Sequence, residues 1–496
     1  MIWKYLTFAY SECIISAAIM VKKQSQFNPY LLLIISFFGI TLIGSFLLCM
    51  PWAFRDNPTH EWCHVGNYLD AFFTSLASMS LTGFVTYPEG LANTLSTAGQ
   101  IVVLVLMQIG GLGIITILTF LFTIFKRNLQ FKDRLFISQA ISFNNFAEIA
   151  RFVRRMIMIT LVCELVGFGL GVPVFLNVFP DNILKGLYYS LFHSVSAFNN
   201  VGFTLFNANE GLIGGINVAG GVFFDNHHWL YYYFSLYLAV LSLIGGVSFL
   251  VIIDVVFGRK PPKRWSVATK ICLSMTGIMI LFFAVALFLT DGLKKENPMN
   301  TYQALMQVIN CRTAGFTMYP QSDISLPGRM LCCVMMFVGG APLSTAGGIK
   351  LTTIFVVLVS ILSYFRGKKT SVFKRYYSED MTAKSLSLVF VVLFLLLFSF
   401  VGLNLFGLKE TSEPLNENIK NELVAYYLYE VFSAFGNVGF YTGLESHLSV
   451  GSVIILCLLM LLGHLGPMTF FSLFQNHLDK KKNVHYSFVE EDFLIG

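Results

Sequence analysis

The residues best placed to do chemistry lie in four short stretches: "SMSLTGF" (78–84), "AFNNVGF" (197–203), "NCRTAGF" (310–316) and "AFGNVGF" (434–440). Each closes a semi-apolar segment with Gly-Phe. The glycines Gly83, Gly202, Gly315 and Gly439 are separated by 202 − 83 = 119, 315 − 202 = 113 and 439 − 315 = 124 residues. An ending that returns at near-constant spacing is an internal repeat. One Gly-Phe after an apolar stretch is an ordinary helix C-terminus with a packing aromatic; four in register imply a shared task. Glycine adopts backbone angles that other residues resist, so four such turns around one axis can direct carbonyl oxygens inward. Rings of carbonyls replace the hydration shell of a cation. The residues ahead of the glycines differ: Leu81-Thr82, Asn200-Val201, Thr313-Ala314 and Asn437-Val438. A backbone ligand tolerates that variation. Phe84, Phe203, Phe316 and Phe440 can wedge the turns in place.

Such loops need a membrane scaffold. Of 496 residues, 55% are hydrophobic and only 12% charged, with a mean hydropathy of +0.69. Soluble domains carry about a quarter charged residues. A span takes about 20 apolar residues, and eight segments qualify: 31–50, 97–125, 155–179, 229–257, 268–291, 328–364, 384–408 and 450–475. Basic residues fill every second connection, among them Arg151, Arg154 and Arg155, then Arg259, Lys263 and Arg264, then Arg366, Lys368 and Lys369. Basic connections face the cytoplasm, which places both termini there. The N-terminal stretch 6–20, interrupted by Ser11 and Glu12, reads as retained rather than as a cleaved signal.

Each outward connection holds an apolar stretch about half a span long, which must enter and return. Non-helical backbone at membrane depth is tolerated where it is buried in protein or lines a watery path. Each half-helix also points its partially negative C-terminal end at the axis. The fold expected is an all-α polytopic membrane protein, with four span–half-helix–filter loop–span repeats arranged as a pseudo-tetramer around one pore. The repeats divide the chain at 1–145, 146–260, 261–376 and 377–496. Asp70 suits the N-cap of the first half-helix and Asn300-Thr301 that of the third. Arg312 is costly at this depth and is expected to pair with Glu430 of the fourth half-helix, clamping neighbouring loops.

The sixth span is interrupted by "GGAPLSTAGGIK" (339–350). Glycine and proline break helices, and a loop here lies beneath the four turns. Gly339, Gly340, Thr345, Ala346, Gly347 and Gly348 are the expected gating elements, with Lys350 opposing a cation. "GHLGPMTF" (463–470) breaks the last span and places His464 at depth; "MQIGGLGI" (107–114) and "LIGGVSF" (243–249) read as close helix-packing sites.

Nine cysteines show no metal-ligand spacing, and six of them (Cys49, Cys163, Cys272, Cys332, Cys333 and Cys457) lie in apolar runs. No GxSxG elbow or HExxH motif is present, and the pair His193-Ser194 lies on a half-helix. No metal site, disulfide framework or enzyme active site is expected. A carrier of alternating-access type, coupled to Na+ or H+, is the alternative, because interrupted mid-membrane helices also mark carriers. Carriers more often show inverted repeats; these four are parallel. Glu164 is the acid such coupling would use, and helix packing is its other role.

The endings S-x-T-G-F, N-N-V-G-F, R-T-A-G-F and G-N-V-G-F, with "QIGGLGI", "STAGGIK" and "LGPMTF", resemble those of the Trk/Ktr/HKT superfamily of cation transporters over nearly the whole chain. With its first repeat starting near residue 31, the chain resembles the KtrB branch more than TrkH. The resemblance implies a potassium uptake subunit of the plasma (inner) membrane, a homodimer with one pore per protomer, and a cytoplasmic ring of nucleotide-binding regulatory subunits. It implies a filter of residues 81–84, 200–203, 313–316 and 437–440, a gating loop at 339–350, and K+ as the transported ion with no covalent cofactor. A serine at the first filter glycine accompanies sodium preference in the superfamily; Gly83 argues for potassium. The family commonly has arginine where this chain has His464, so gating is expected to respond to cytoplasmic pH.

Overall fold

The computed structural model describes residues 29–55, 65–87, 90–113, 146–206, 228–258, 261–294, 297–372, 375–409, 422–440 and 442–467. Both chain ends, the connection 114–145 and the C-terminal parts of the span segments 97–125 and 450–475 lie outside the described residues.

The helices fall into four sets with one order: long helix, half-helix, second helix. The first set is α1 (Pro29–Cys49), α2 (Val65–Met79) and α3 (Thr97–Leu112). The second is α4 (Phe146–Val178), α5 (Ile183–Phe198) and α6 (His228–Gly246). The third is α7 (Val267–Leu287), α8 (Thr301–Cys311) and a divided second helix, α9 (Leu326–Phe337) and α10 (Leu351–Phe365). The fourth is α11 (Glu379–Phe406), α12 (Leu423–Gly436) and α13 (Val450–Leu465). Between α10 and α11 runs a two-residue-per-strand antiparallel hairpin, β1 (Ser371–Val372) with β2 (Arg375–Tyr376), a small departure from an all-helical chain.

Serine caps start many of these helices. The Ser96, Ser325 and Ser449 side chains accept the amides of Gly99, Gly328 and Ser452 at the starts of α3, α9 and α13. These satisfy amides that the helix cannot. Asn300 caps α8 in a full capping box with Gln303, as its sequence position suggests. Asp70 does not cap α2. That helix begins at Val65, leaving Asp70 inside it beside Thr86.

Among the described residues, Arg151–Val178, Trp229–Gly246, Val267–Gly292 and Glu379–Phe406 are long and apolar enough to cross a membrane. Shorter apolar helices cover Leu33–Cys49, Thr97–Leu112, Leu326–Phe337, Leu351–Phe365 and Val450–Leu465. The second helices are shorter than the uninterrupted runs expected from hydropathy. α3, α6 and α13 stop at glycines, with Gly113 and Gly466 at φ 73° and 81°. Exposure separates the roles: the apolar window of α11 is only 17% buried and that of α6 is 61% buried. The half-helices are buried within the bundle, as Phe73, Phe192, Met306 and Val431 show.

Candidate ion-conduction site

The four Gly-Phe stretches follow their half-helices with positive φ at alternate residues, and Thr313 departs from the other three. Leu81, Asn200, Thr313 and Asn437 have φ of 61°, 57°, 140° and 51°, and Gly83, Gly202, Gly315 and Gly439 have 80°, 85°, 66° and 69°. The residues between them, Thr82, Val201, Ala314 and Val438, keep ordinary negative φ. Asparagine tolerates positive φ, whereas Leu81 and Thr313 carry strain. Each turn is anchored by an amide to its half-helix: Thr82 to Ala77 at 2.8 Å, Val201 to Ser196 at 2.9 Å, Ala314 to Asn310 at 3.0 Å and Val438 to Ser433 at 3.0 Å.

The turns contact one another in cyclic order. A β-carbon on Gly83 would overlap the carbonyl oxygen of Val201, and one on Gly202 that of Ala314. One on Gly315 would overlap the carbonyl of Val438, and one on Gly439 that of Thr82. First touches second, second third, third fourth, fourth first. The ring closes, and only glycine leaves room for it.

Side-chain amides tie the turns to one another and to the helices around them. Asn437 Nδ2 donates to Ser80 O at 3.0 Å, Thr82 Oγ1 at 2.8 Å and Met460 O at 3.1 Å, stitching the fourth turn to the first. Phe84, Phe203, Phe316 and Phe440 are all buried. Phe84 stacks on Phe73 at 6.2 Å, and Phe440 stacks on Tyr429 at 6.3 Å from the equivalent position of the fourth half-helix.

Glycines of the second helices seat the half-helix ends. β-Carbons on Gly110, Gly245 and Gly463 would overlap the carbonyls of Met79, Phe198 and Phe435, each four residues before its turn glycine. This close approach is the packing role expected for "MQIGGLGI" and "LIGGVSF", and "GHLGPMTF" shares it. The third repeat differs: Gly339 is met by the carbonyl of Gly347, so the interrupting segment occupies the equivalent place.

That segment has a closed stem. Val338 pairs with Ile349, Gly339 N donates to Ile349 O at 3.0 Å, and Leu351 N donates to Gly340 O at 3.0 Å. Residues 341–348 project from it. Asn200 Nδ2 donates to Thr345 Oγ1 at 2.8 Å, and Thr345 Oγ1 donates to Gly245 O at 3.0 Å. Gly347 lies against the Asn437 side chain, and Gly340 packs on Ala346. Gly348 turns with φ 71°. The segment thus touches the second and fourth turns. Lys350 Nζ donates to Ala346 O at 2.6 Å. His464 lies on the last turn of α13, 5.4 Å from the Phe37 ring. It is bonded to the Ser80 backbone and lies within electrostatic reach of Lys350.

Arg312 and Glu430 do not pair. Arg312 is the C-cap of α8, buried, with Nε and Nη2 unpartnered. Glu430 is six residues before the end of α12 at Gly436, about 9 Å higher along its helix at 1.5 Å per residue. Its Oε1 accepts from Thr442 Oγ1 at 2.5 Å, and its Oε2 has no partner. Arg312 stands at the C-terminal end of its half-helix, whereas Glu430 lies at the middle of its own, so the two side chains sit at different depths.

The helix-packing role read for Glu164 in the sequence is the one the structure shows, but its partners Gln108 and Asn199 were not legible there. Glu164 accepts from Gln108 Nε2 at 3.1 Å and from Asn199 Nδ2 at 3.0 Å. It braces α4 to α3 and to the end of α5. His193 and Ser194 are also committed: His193 Nδ1 bonds Tyr189 O at 2.8 Å and Nε2 meets Thr204 Oγ1 at 3.1 Å, while Ser194 donates to Glu164 O at 2.6 Å.

Known proteins share this architecture. The TrkH family, described as cation transport protein, matches residues 68–486. The chain is 29% identical to the Ktr system potassium uptake protein B of Bacillus subtilis, over 94% of this chain and 97% of the relative. It is 28% identical to the potassium/sodium uptake protein NtpJ of Enterococcus hirae, over 96% and 100%. The crystal structure of the potassium transporter TrkH from Vibrio parahaemolyticus superposes with a TM-score of 0.62, at 18% identity, covering 91% of this chain and 86% of that one.

Proposed function

This chain belongs to the TrkH family of cation transport proteins, a family of transporters and not of enzymes, and we propose that it is the ion-conducting membrane subunit of a potassium uptake system. One observation carries the reading: four left-handed glycines, each covered by the carbonyl of the next turn in a closed cycle. Carbonyls presented by such a ring substitute for the water shell of K+. Residues 81–84, 200–203, 313–316 and 437–440 form the filter, with K+ as the transported substrate. Residues 339–350 form the gate, supported by the contacts of Thr345 and Gly347 with the second and fourth turns. Lys350 places positive charge beneath the ring, and His464 beside it adds charge only when protonated. Arg312, Glu430 and Asp70 support the loops from behind, each within its own repeat.

The four repeats, divided at 1–145, 146–260, 261–376 and 377–496, form a pseudo-tetramer around this one pore. The basic connections face the cytoplasm with both termini, and the subunit works as a homodimer with a cytoplasmic nucleotide-binding ring. The name of the Enterococcus relative includes sodium, so sodium is the competing permeant ion. The test is rubidium uptake into liposomes holding the purified protein under an outward potassium gradient, with Gly315→Ser in parallel. Uptake inhibited by potassium more strongly than by sodium, with selectivity altered in the variant, supports the filter. Equal uptake and selectivity in both proteins would overturn it.

A further inference from the structure

A cleft of about 680 Å³ lies where α10 ends and α11 begins, roofed by the β1–β2 hairpin. Its two ends differ in chemistry. Ile361, which is exposed, and Leu386, which is half-buried, line one end; the apolar window of α11 is only 17% buried. Lys368, Lys369 and Tyr376 line the other end, and Lys369 Nζ lies 5.9 Å from the Tyr376 ring centroid. Tyr364 and Phe365, 85% and 81% exposed, stand between the two. Aromatic residues so exposed at the end of an apolar helix mark the boundary between hydrocarbon and water. Glu379 also lines the cleft, in the first turn of α11, where a carboxylate suits the helix dipole.

We propose that this cleft holds the phosphate headgroup of an anionic phospholipid, with the acyl chains on the outward faces of α10 and α11. A soluble anion would use the lysines and leave Ile361 and Leu386 without a partner. A zwitterionic lipid brings no net charge and would leave the excess of two lysines over Glu379 uncompensated. An anionic lipid satisfies both ends, and basic pockets between membrane helices bind such headgroups. The volume falls within the range of small-molecule sites.

The experiment is native mass spectrometry of the full chain released from micelles containing phosphatidylglycerol or phosphatidylcholine, comparing the original with Lys368→Gln/Lys369→Gln. Both lysines are exposed, so the fold does not depend on them. Selective retention of phosphatidylglycerol is expected, weakened about 25-fold in the double variant, since each lysine near an anionic surface contributes about fivefold. Equal retention of the two lipids, or no change in the variant, would overturn the proposal. So would thermal stabilisation by inorganic phosphate equal to that by the lipid, which would make this a free-anion site. A change of oligomeric state in the variant with lipid retention intact would assign the cleft to a contact between copies. The readout is binding, so it is independent of transport.

Discussion

Asn200 and Thr345, 145 residues apart, share a hydrogen bond of 2.8 Å that joins the second turn to the segment interrupting the sixth span. Thr345 in turn donates to Gly245, where α6 ends. The three groups couple the ring, the interruption and the helix break in one chain of contacts.

If the segment gates the ring, this link holds it closed. Thr345→Val keeps the shape and removes both bonds. A net hydrogen bond contributes about 0.5–1.5 kcal/mol, so with both lost rubidium uptake without a regulatory partner is expected to rise by about 5- to 150-fold. Shortening 341–348 should raise it further. Unchanged uptake in both variants would reduce the segment to a passive kink.

Glycine substitutions separate ring geometry from general tolerance. Gly439→Ala places a methyl group against the Thr82 carbonyl at a φ of 69°, whereas Gly39 in α1 has nothing within 4 Å of an added β-carbon. Gly39→Ala is expected to leave flux intact and to raise stability by about 0.5–1 kcal/mol. Gly439→Ala is expected to abolish selective flux. Comparable activity in the two variants would contradict the ring.

The outer acids behind the fourth turn are predicted to respond unequally. Glu445 accepts the amides of Thr442 and Gly443, both at 3.0 Å. A glutamine there strands one amide against its own NH2, costing about 1–3 kcal/mol. Glu430→Gln keeps an acceptor for Thr442 and loses little. Thermal unfolding in detergent should show a clear drop for Glu445→Gln alone. Equal drops would show that Glu430 is also required as a carboxylate.

Arg312 and Glu430, being unpaired, should be thermodynamically independent. A double-mutant cycle of Arg312→Gln and Glu430→Gln is expected to be additive within about 0.5 kcal/mol. A larger coupling would mean that the two meet in a state other than this one.

His464→Arg fixes a second positive charge near Lys350. Lower flux and a flattened dependence on internal pH are expected. A pH profile identical to that of the original would exclude His464 as the titrating group.

The helices and their order are legible in the sequence because each depends on local terms. Hydropathy runs mark the long helices, Asn300 and Ser325 cap α8 and α9, and glycines stop α3 and α13. The repeat is legible because four copies of one short motif leave a spacing that needs no structure to measure. Asp70 misled because α2 begins five residues earlier, at Val65, and many polar residues resemble a cap when the helix start is unknown. Arg312 misled because charge complementarity carries no information about depth.

By itself the sequence determined a membrane protein of four parallel repeats, each with one glycine turn, since composition and periodicity are properties of the chain alone. Tertiary structure alone decided that Val201 meets Gly83, that Thr82 meets Gly439, that Glu164 braces Asn199, and that Thr345 meets Asn200. These contacts join residues far apart in the chain. They depend on how the helices of different repeats pack against one another, and neither propensity nor hydropathy encodes that geometry.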